Sequence, residues 1–134
     1  MKVVIIGGVA GGASAAARLR RLDENAQIII LERGQHISYA NCGLPYYVGG
    51  VIIEESNLTL QTPQSFYERF RIDVRTNTEA TEIHTEEKKI TVCNHNTGEI
   101  YQETYDKLIL SPGAEPIKPN LPGSDDDRVF TLRT

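Results

Sequence analysis

With only two cysteines in 134 residues, the chain cannot carry a disulfide scaffold, and a domain of this size does not need one to fold. Both thiols are therefore expected to be free, in a reducing cytoplasm. No apolar run is long enough to span a membrane. The first residues read as a buried strand rather than a basic stretch followed by a long apolar one, so no signal peptide is expected. Basic residues are in deficit as well: 14 against 18 acids leave a net charge of −4, which argues against a nucleic-acid surface and for small-molecule partners. The histidines His36, His84 and His95 lack C-x-x-C or H-x-x-x-H partners, so no metal site is expected. Also missing are G-x-S-x-G, S-x-x-K and a G-K-[ST] after a glycine loop, which removes serine-hydrolase and P-loop readings. There is no internal repeat and no low-complexity tract. At 40% hydrophobic and 24% charged residues, the composition is that of one soluble globular domain.

Glycine and alanine, by contrast, are concentrated near the start. An apolar run, Lys2 to Ile6, leads into Gly7, Gly8, Val9, Ala10, Gly11 and Gly12, then into Ala13, Ser14, Ala15, Ala16, Ala17 and Arg18. The pattern is strand, tight turn, helix. Glycines belong in such a turn because the chain reverses sharply, the backbone approaches a pyrophosphate, and the helix starts close to the strand. The helix's free N–H groups and dipole then face the phosphates. A second apolar run, Gln27 to Leu31, ends in Glu32 and Arg33. An acid roughly 20 residues beyond such a turn is placed to meet ribose hydroxyls. With Gly7 and Gly12 as the outer glycines of G-x-G-x-x-G, Val9 occupies the middle position, where it serves if its φ is negative.

Next comes Ser38-Tyr39-Ala40-Asn41-Cys42-Gly43-Leu44-Pro45-Tyr46-Tyr47. A helix could begin beside Cys42, and a helix N-terminus favours a thiolate. No C-x-x-C is present, so if Cys42 is redox-active the partner sulfur must belong to another molecule. Cys93 lies in the alternating run Lys89 to Asn94 and is read as a packing residue.

Further along, Thr62 before Pro63 is expected to cap a helix through Phe70, its aromatics facing a core. Four short alternating runs follow, Asp73 to Arg75, Glu82 to His84, Lys89 to Cys93 and Glu99 to Thr104. They predict a small antiparallel meander, with Asn94 to Gly98 as a hairpin turn. Lys107 to Leu110 is a last strand, running into Ser111, Pro112 and Gly113.

Taken together, G-G-V-A-G-G-A-S-A-A-A-R, L-E-R, S-Y-A-N-C-G-L-P-Y-Y and Y-D-K-L-I-L-S-P-G-A resemble the amino-terminal part of the single-cysteine pyridine nucleotide-disulfide oxidoreductases, most closely the coenzyme A-disulfide reductases. The resemblance implies an α/β fold: a Rossmann-like FAD-binding domain with a parallel central sheet plus a three-stranded antiparallel β-meander. Residues 1–134 are expected to be its amino-terminal part, inactive alone, from a longer homodimeric enzyme that also binds NAD(P)H. It implies that Cys42 is the nucleophile and forms a mixed disulfide with coenzyme A beside the flavin. It further implies FAD contacts from Gly7, Gly8, Val9, Ala10, Gly11, Gly12, Glu32, Arg33, Asn41, Cys42, Ala80, Ser111, Pro112, Gly113 and Arg133.

On the substrate side the resemblance places Ser14, Arg18, Arg21, Ser38 and Asn41. Arg18 and Arg21 share one face of the predicted helix; read without the resemblance, Arg18, Arg20 and Arg21 form a solvated face. Two departures from the family stand out. Ser111-Pro112-Gly113 replaces its usual Ala-Thr-Gly, and Phe70 stands where it has a lysine. Alternatives are an NADH oxidase or peroxidase cycling Cys42 through a sulfenic acid, a persulfide reductase, or a non-catalytic nucleotide-binding fragment.

Overall fold

The computed structural model describes residues 1–133. Two apolar runs set the architecture. Strands β1 (Lys2–Ile6) and β2 (Gln27–Leu31) lie side by side in parallel, and both of their faces are buried, the usual condition of a parallel sheet. Val3, Ile5, Ile28 and Ile30 point one way, into a core shared with Ala13, Ala16, Phe66 and Ile72. Val4, Ile29 and Leu31 point the other way, onto Ile90 and Val92. Each fully buried side chain of this kind contributes about 1.5–3 kcal/mol of transfer free energy, so the two faces fix the register.

On the first face lie two helices. Helix α1 (Gly11–Leu22) is alanine-rich, a composition that favours helix, and its small residues Gly12, Ala13 and Ala16 let it sit close to the sheet. Asp23 closes it, donating its backbone N–H to the Leu19 carbonyl at 2.8 Å. Helix α3 (Pro63–Phe70) follows a shorter α2 (Leu44–Val48). The expected Thr62 cap is present and is reciprocal: Ser65 N–H donates to Thr62 Oγ1 at 3.1 Å, and Thr62 N–H donates to Ser65 Oγ at 3.0 Å. Its end is set by Arg71, which takes the left-handed conformation at φ 50°.

Arg20 locks the two helices together. Its guanidinium donates to the carbonyls of Phe70 (2.7 Å), Arg71 (3.0 Å) and Glu24 (2.7 Å). The reading of Arg18, Arg20 and Arg21 as one solvated face is thereby corrected for Arg20. The carbonyls it meets come from a distant turn, which helical spacing does not reveal.

On the second face lies the antiparallel meander β4 (Thr78–His84), β5 (Lys89–Asn94) and β6 (Ile100–Thr104). Strand β4 begins at Thr78 rather than Glu82. A register shift between Ala80 and Glu82 breaks the alternation that sequence reading relies on. A second correction concerns β3 (Asp73–Arg75), which is not part of the meander: it pairs in parallel with β2. Three residues carry too little pattern to distinguish the two sheets.

The parallel sheet is completed by β7 (Lys107–Leu110), giving the order β3-β2-β1-β7. The chain thus builds outward from β1 through β2 to β3, then crosses to the other side of β1. That reversal is a topological switch point, and in open α/β sheets ligands bind outside the strand carboxyl ends there.

A charged cluster joins the two sheets. Glu103, on β6 with its side chain 12% exposed, accepts from Arg75 Nη1 at 2.6 Å and pairs with Lys2 Nζ. Arg75 also bonds Tyr101 Oη (3.0 Å) and Asp73. Burial alone would raise the Glu103 pKa, but the bonds from Lys2 and Arg75 outweigh it and hold the carboxyl below its ordinary range. For Arg75, burial works downward and the bonds to Asp73, Tyr101 and Glu103 override it, so the pKa is raised.

Candidate functional site

At the carboxyl ends of β1, β2 and β7 the glycine turn is packed against the chain itself. Gly7 has φ +92°, and a β-carbon there would lie 2.0 Å from the Ser111 carbonyl oxygen. A β-carbon on Gly12 would lie 1.8 Å from the Gly7 carbonyl oxygen. The first glycine therefore admits the β7 turn, and the third admits α1. Val9 is absent from the residues with positive φ, so the middle position tolerates a side chain. Ala10 precedes α1 without capping it, and the first turn of α1 holds no acid. Its open N–H groups have no side-chain acceptor of their own.

Glu32 gathers the neighbouring backbone. Gly8 N–H donates to its Oε2 at 2.8 Å and Gly34 N–H to its Oε1 at 2.9 Å. Glu32 N–H donates to the Arg75 carbonyl, and Thr78 N–H to the Glu32 carbonyl, both at 2.9 Å. Gly7 N–H, for its part, donates to the Leu31 carbonyl at 2.8 Å. The amides of Gly7 and Gly8 are thus already engaged, and those free to face an anion begin at Val9.

A cleft of about 310 Å³ opens beside this knot. It is lined by Gly7, Glu32, Arg33, Ala80, Pro112 and Gly113, which the family resemblance had drawn from four separate stretches of sequence. Thr78, Glu79, Ala114 and Glu115 also line it, and sequence reading missed them. Thr78 and Glu79 had been placed before the start of their strand, and nothing in the sequence marks Glu115. Arg33 spans the rim, 3.2 Å from Glu115 and 3.9 Å from Glu79. Glu79 in turn meets His95 Nε2 at 3.0 Å, so this turn histidine has a partner.

Asn41 and Cys42 do not line the cleft. They occupy a single 3₁₀ turn, Asn41–Gly43, that precedes the five-residue α2, so the helix expected at Cys42 is short and begins one turn later. Both residues are exposed. The turn is pinned from behind: Ala40 N–H donates to the Leu58 carbonyl (2.8 Å) and Leu60 N–H to that of Ser38 (3.0 Å). Ser38 takes φ 53°, an uncommon conformation for a residue with a β-carbon.

Tyr39, which sequence reading passed over, links this turn to the end of the chain by donating its hydroxyl to the Arg133 carbonyl at 3.2 Å. Arg133 also reaches the cleft side, since a β-carbon on Gly113 would sit 2.8 Å from its Nη2. Ser111 Oγ faces the start of α1, where a β-carbon on Gly11 would meet it at 2.6 Å. Ser14, Arg18 and Arg21 are exposed on α1. Among the described residues, no helix is long and apolar enough to cross a membrane.

A mixed α/β fold with an acid-anchored glycine turn at a switch point is the architecture of a dinucleotide-binding domain. The sequence profile of the pyridine nucleotide-disulphide oxidoreductases matches residues 1–134, and the chain belongs to that family. It is 43% identical over 132 residues to coenzyme A disulfide reductase of Staphylococcus epidermidis, covering 98% of this chain and 30% of that protein. Reduced Bacillus anthracis CoADR-RHD superposes with a TM-score of 0.94 at 56% identity, over 99% of this chain and 24% of that one. A NAD-dependent persulfide reductase from A. fulgidus superposes at 0.92 and 41% identity, over 100% and 25% respectively. The chain spans about 30% of the length of the curated relatives it matches.

Proposed function

We propose that residues 1–134 are the amino-terminal part of an FAD-binding domain in a cytoplasmic, homodimeric, NAD(P)H-dependent disulfide reductase acting on coenzyme A disulfide. The carrying observation is the convergence of Gly7, Glu32, Ala80, Pro112 and Gly113 on one cleft at the switch point. The donors and acceptors there suit FAD. The uncapped start of α1 offers N–H groups to a pyrophosphate. A carboxylate has about four acceptor positions; the Gly8 and Gly34 amides take one on each Glu32 oxygen, leaving others for ribose hydroxyls. The Thr78–Ala80 segment would hold the adenine end, and Gly113 with Arg133 the flavin end. When bound, FAD supplies two-electron transfer between a reduced nicotinamide and a disulfide.

Cys42 is the nucleophile of this reading. Its thiolate attacks one sulfur of the substrate disulfide, a Cys42–sulfur bond forms as the substrate's S–S bond breaks, and the departing thiolate takes a proton from water. Two electrons, drawn overall from NAD(P)H, then cleave the mixed disulfide, release the second thiol and restore Cys42. Per turnover, one disulfide, one NAD(P)H and one proton become two thiols and NAD(P)⁺. Cys42 is exposed and neither it nor Cys93 is in a disulfide, which supports an intermolecular partner. Arg18 and Arg21 make no ion pair among the described residues and stand ready for substrate phosphates, with Ser14, Ser38 and Asn41 beside them.

The test is coenzyme A disulfide-dependent NAD(P)H oxidation by the full-length protein. Cys42→Ser should abolish it, and turnover at the parent rate would overturn the mechanism. The 41% identity to the persulfide reductase favours a second reading, in which Cys42 accepts the outer sulfur of a persulfide. Faster turnover with persulfide than with coenzyme A disulfide would select it.

A further inference from the structure

Glu32 is bonded on every side to the chain's own backbone. Its two carboxylate oxygens each hold a backbone amide, Gly8 on the glycine turn at 2.8 Å and Gly34 beyond β2 at 2.9 Å. Its own backbone bonds Arg75 and Thr78, at the end of β3 and the start of β4. Asn77 N–H closes the ring by donating to the Gly34 carbonyl at 2.9 Å. Three separate connections meet at this one residue: the turn after β1, the loop after β2 and the link between β3 and β4. Each of them lines the cleft or adjoins it.

We infer that Glu32 is a positioning residue that presets the glycine turn through contacts within the chain itself. The chemistry requires a carboxylate of this length. An ionised carboxylate offers acceptors only, so both oxygens can take an N–H at once. A glutamine would keep one acceptor and turn an NH₂ donor toward the other amide, leaving donor against donor. An aspartate keeps the charge but is one methylene short of bridging both. The Gly8 amide is therefore a structural donor to Glu32, and anion contacts of the turn fall to amides from Val9 onward. The consequence for cofactor affinity rests on the flavin reading; the presetting of the turn does not.

Amide hydrogen exchange on the purified, cofactor-free chain tests it, comparing the parent with Glu32→Gln and Glu32→Asp. Charge-assisted bonds of this kind give about ten- to hundred-fold protection, so Gly8 and Gly34 should exchange faster by that factor in Glu32→Gln. In Glu32→Asp at least one of the two should be released. The amide of Val92, deep in the meander, is the control and should not change. In the unaltered chain, scalar couplings across the two hydrogen bonds should link the Gly8 and Gly34 amide nitrogens to the Glu32 carboxyl carbon. This readout holds even if a variant unfolds. Parent-like exchange at both glycines in both variants, or the absence of both couplings, would overturn the inference. Loss of flavin binding alone would leave it standing.

Discussion

A methyl group on Gly12 would have to share space with the Gly7 carbonyl oxygen 1.8 Å away, and the helix backbone behind it cannot rotate aside. Overpacking of this kind costs about 1–3 kcal/mol. Gly12→Ala should therefore lower the urea unfolding midpoint of the chain by that equivalent, with the slope unchanged. Val9 makes the opposite case. Because its φ is not positive, Val9→Gly would restore the motif's wording without relieving strain. It should leave stability unchanged or lower it by roughly 0.5–1 kcal/mol through backbone entropy. At this scale sequence reading singled out the glycine turn and the acid, and the structure brings the two together. It could not foresee that Gly8 spends its amide on Glu32, because the bond depends on where two turns meet in three dimensions.

Arg20 and Glu103 act between elements, and neither announces itself in sequence. Arg20 looks like its neighbours Arg18 and Arg21, yet it satisfies the Phe70 and Arg71 carbonyls at the end of α3. Arg20→Ala should cost about 1–2 kcal/mol. Arg20→Lys should recover only part of that, since an ammonium lacks the planar fork. Both are read in the same unfolding experiment.

Glu103 yields a pH dependence. Its folded pKa lies below the ordinary value of 4.5, so its contribution to stability is complete above that value and is lost as pH falls through the lower, folded one. Stability of the parent should decline in that acid window. Glu103→Gln should be less stable near neutrality by about 1–3 kcal/mol, and its acid decline should be shallower. An equal decline in both would remove Glu103 from the account.

Other features of the elements could be read directly. The apolar runs of β1 and β2, the Thr62 cap and the Asn94–Gly98 turn all carry local signatures that tertiary structure did not override. Strand β3 and the first half of β4 could not be read, being too short or interrupted by a register shift to show a period.

For the molecule as a whole, the cleft is assembled from residues scattered between Ile6 and Glu115. Composition and periodicity explain the two sheets but not why their loops converge. The topological switch beside β1 supplies that reason. Beyond β7 the described residues form only turns and extended segments, with Ile117 and Phe130 91% and 84% exposed. The proposal makes residues 1–134 one part of a longer enzyme. The purified 134-residue chain should accordingly show no steady NAD(P)H oxidation, and sustained turnover by it would contradict that division of labour.

The most direct test is the visible absorption spectrum of the full-length protein carrying this sequence, recorded oxidised and after two-electron reduction. The account predicts a flavin spectrum and, on reduction, a thiolate-to-flavin charge-transfer shoulder that Cys42→Ser removes. A colourless protein, or a shoulder that survives the substitution, would contradict it.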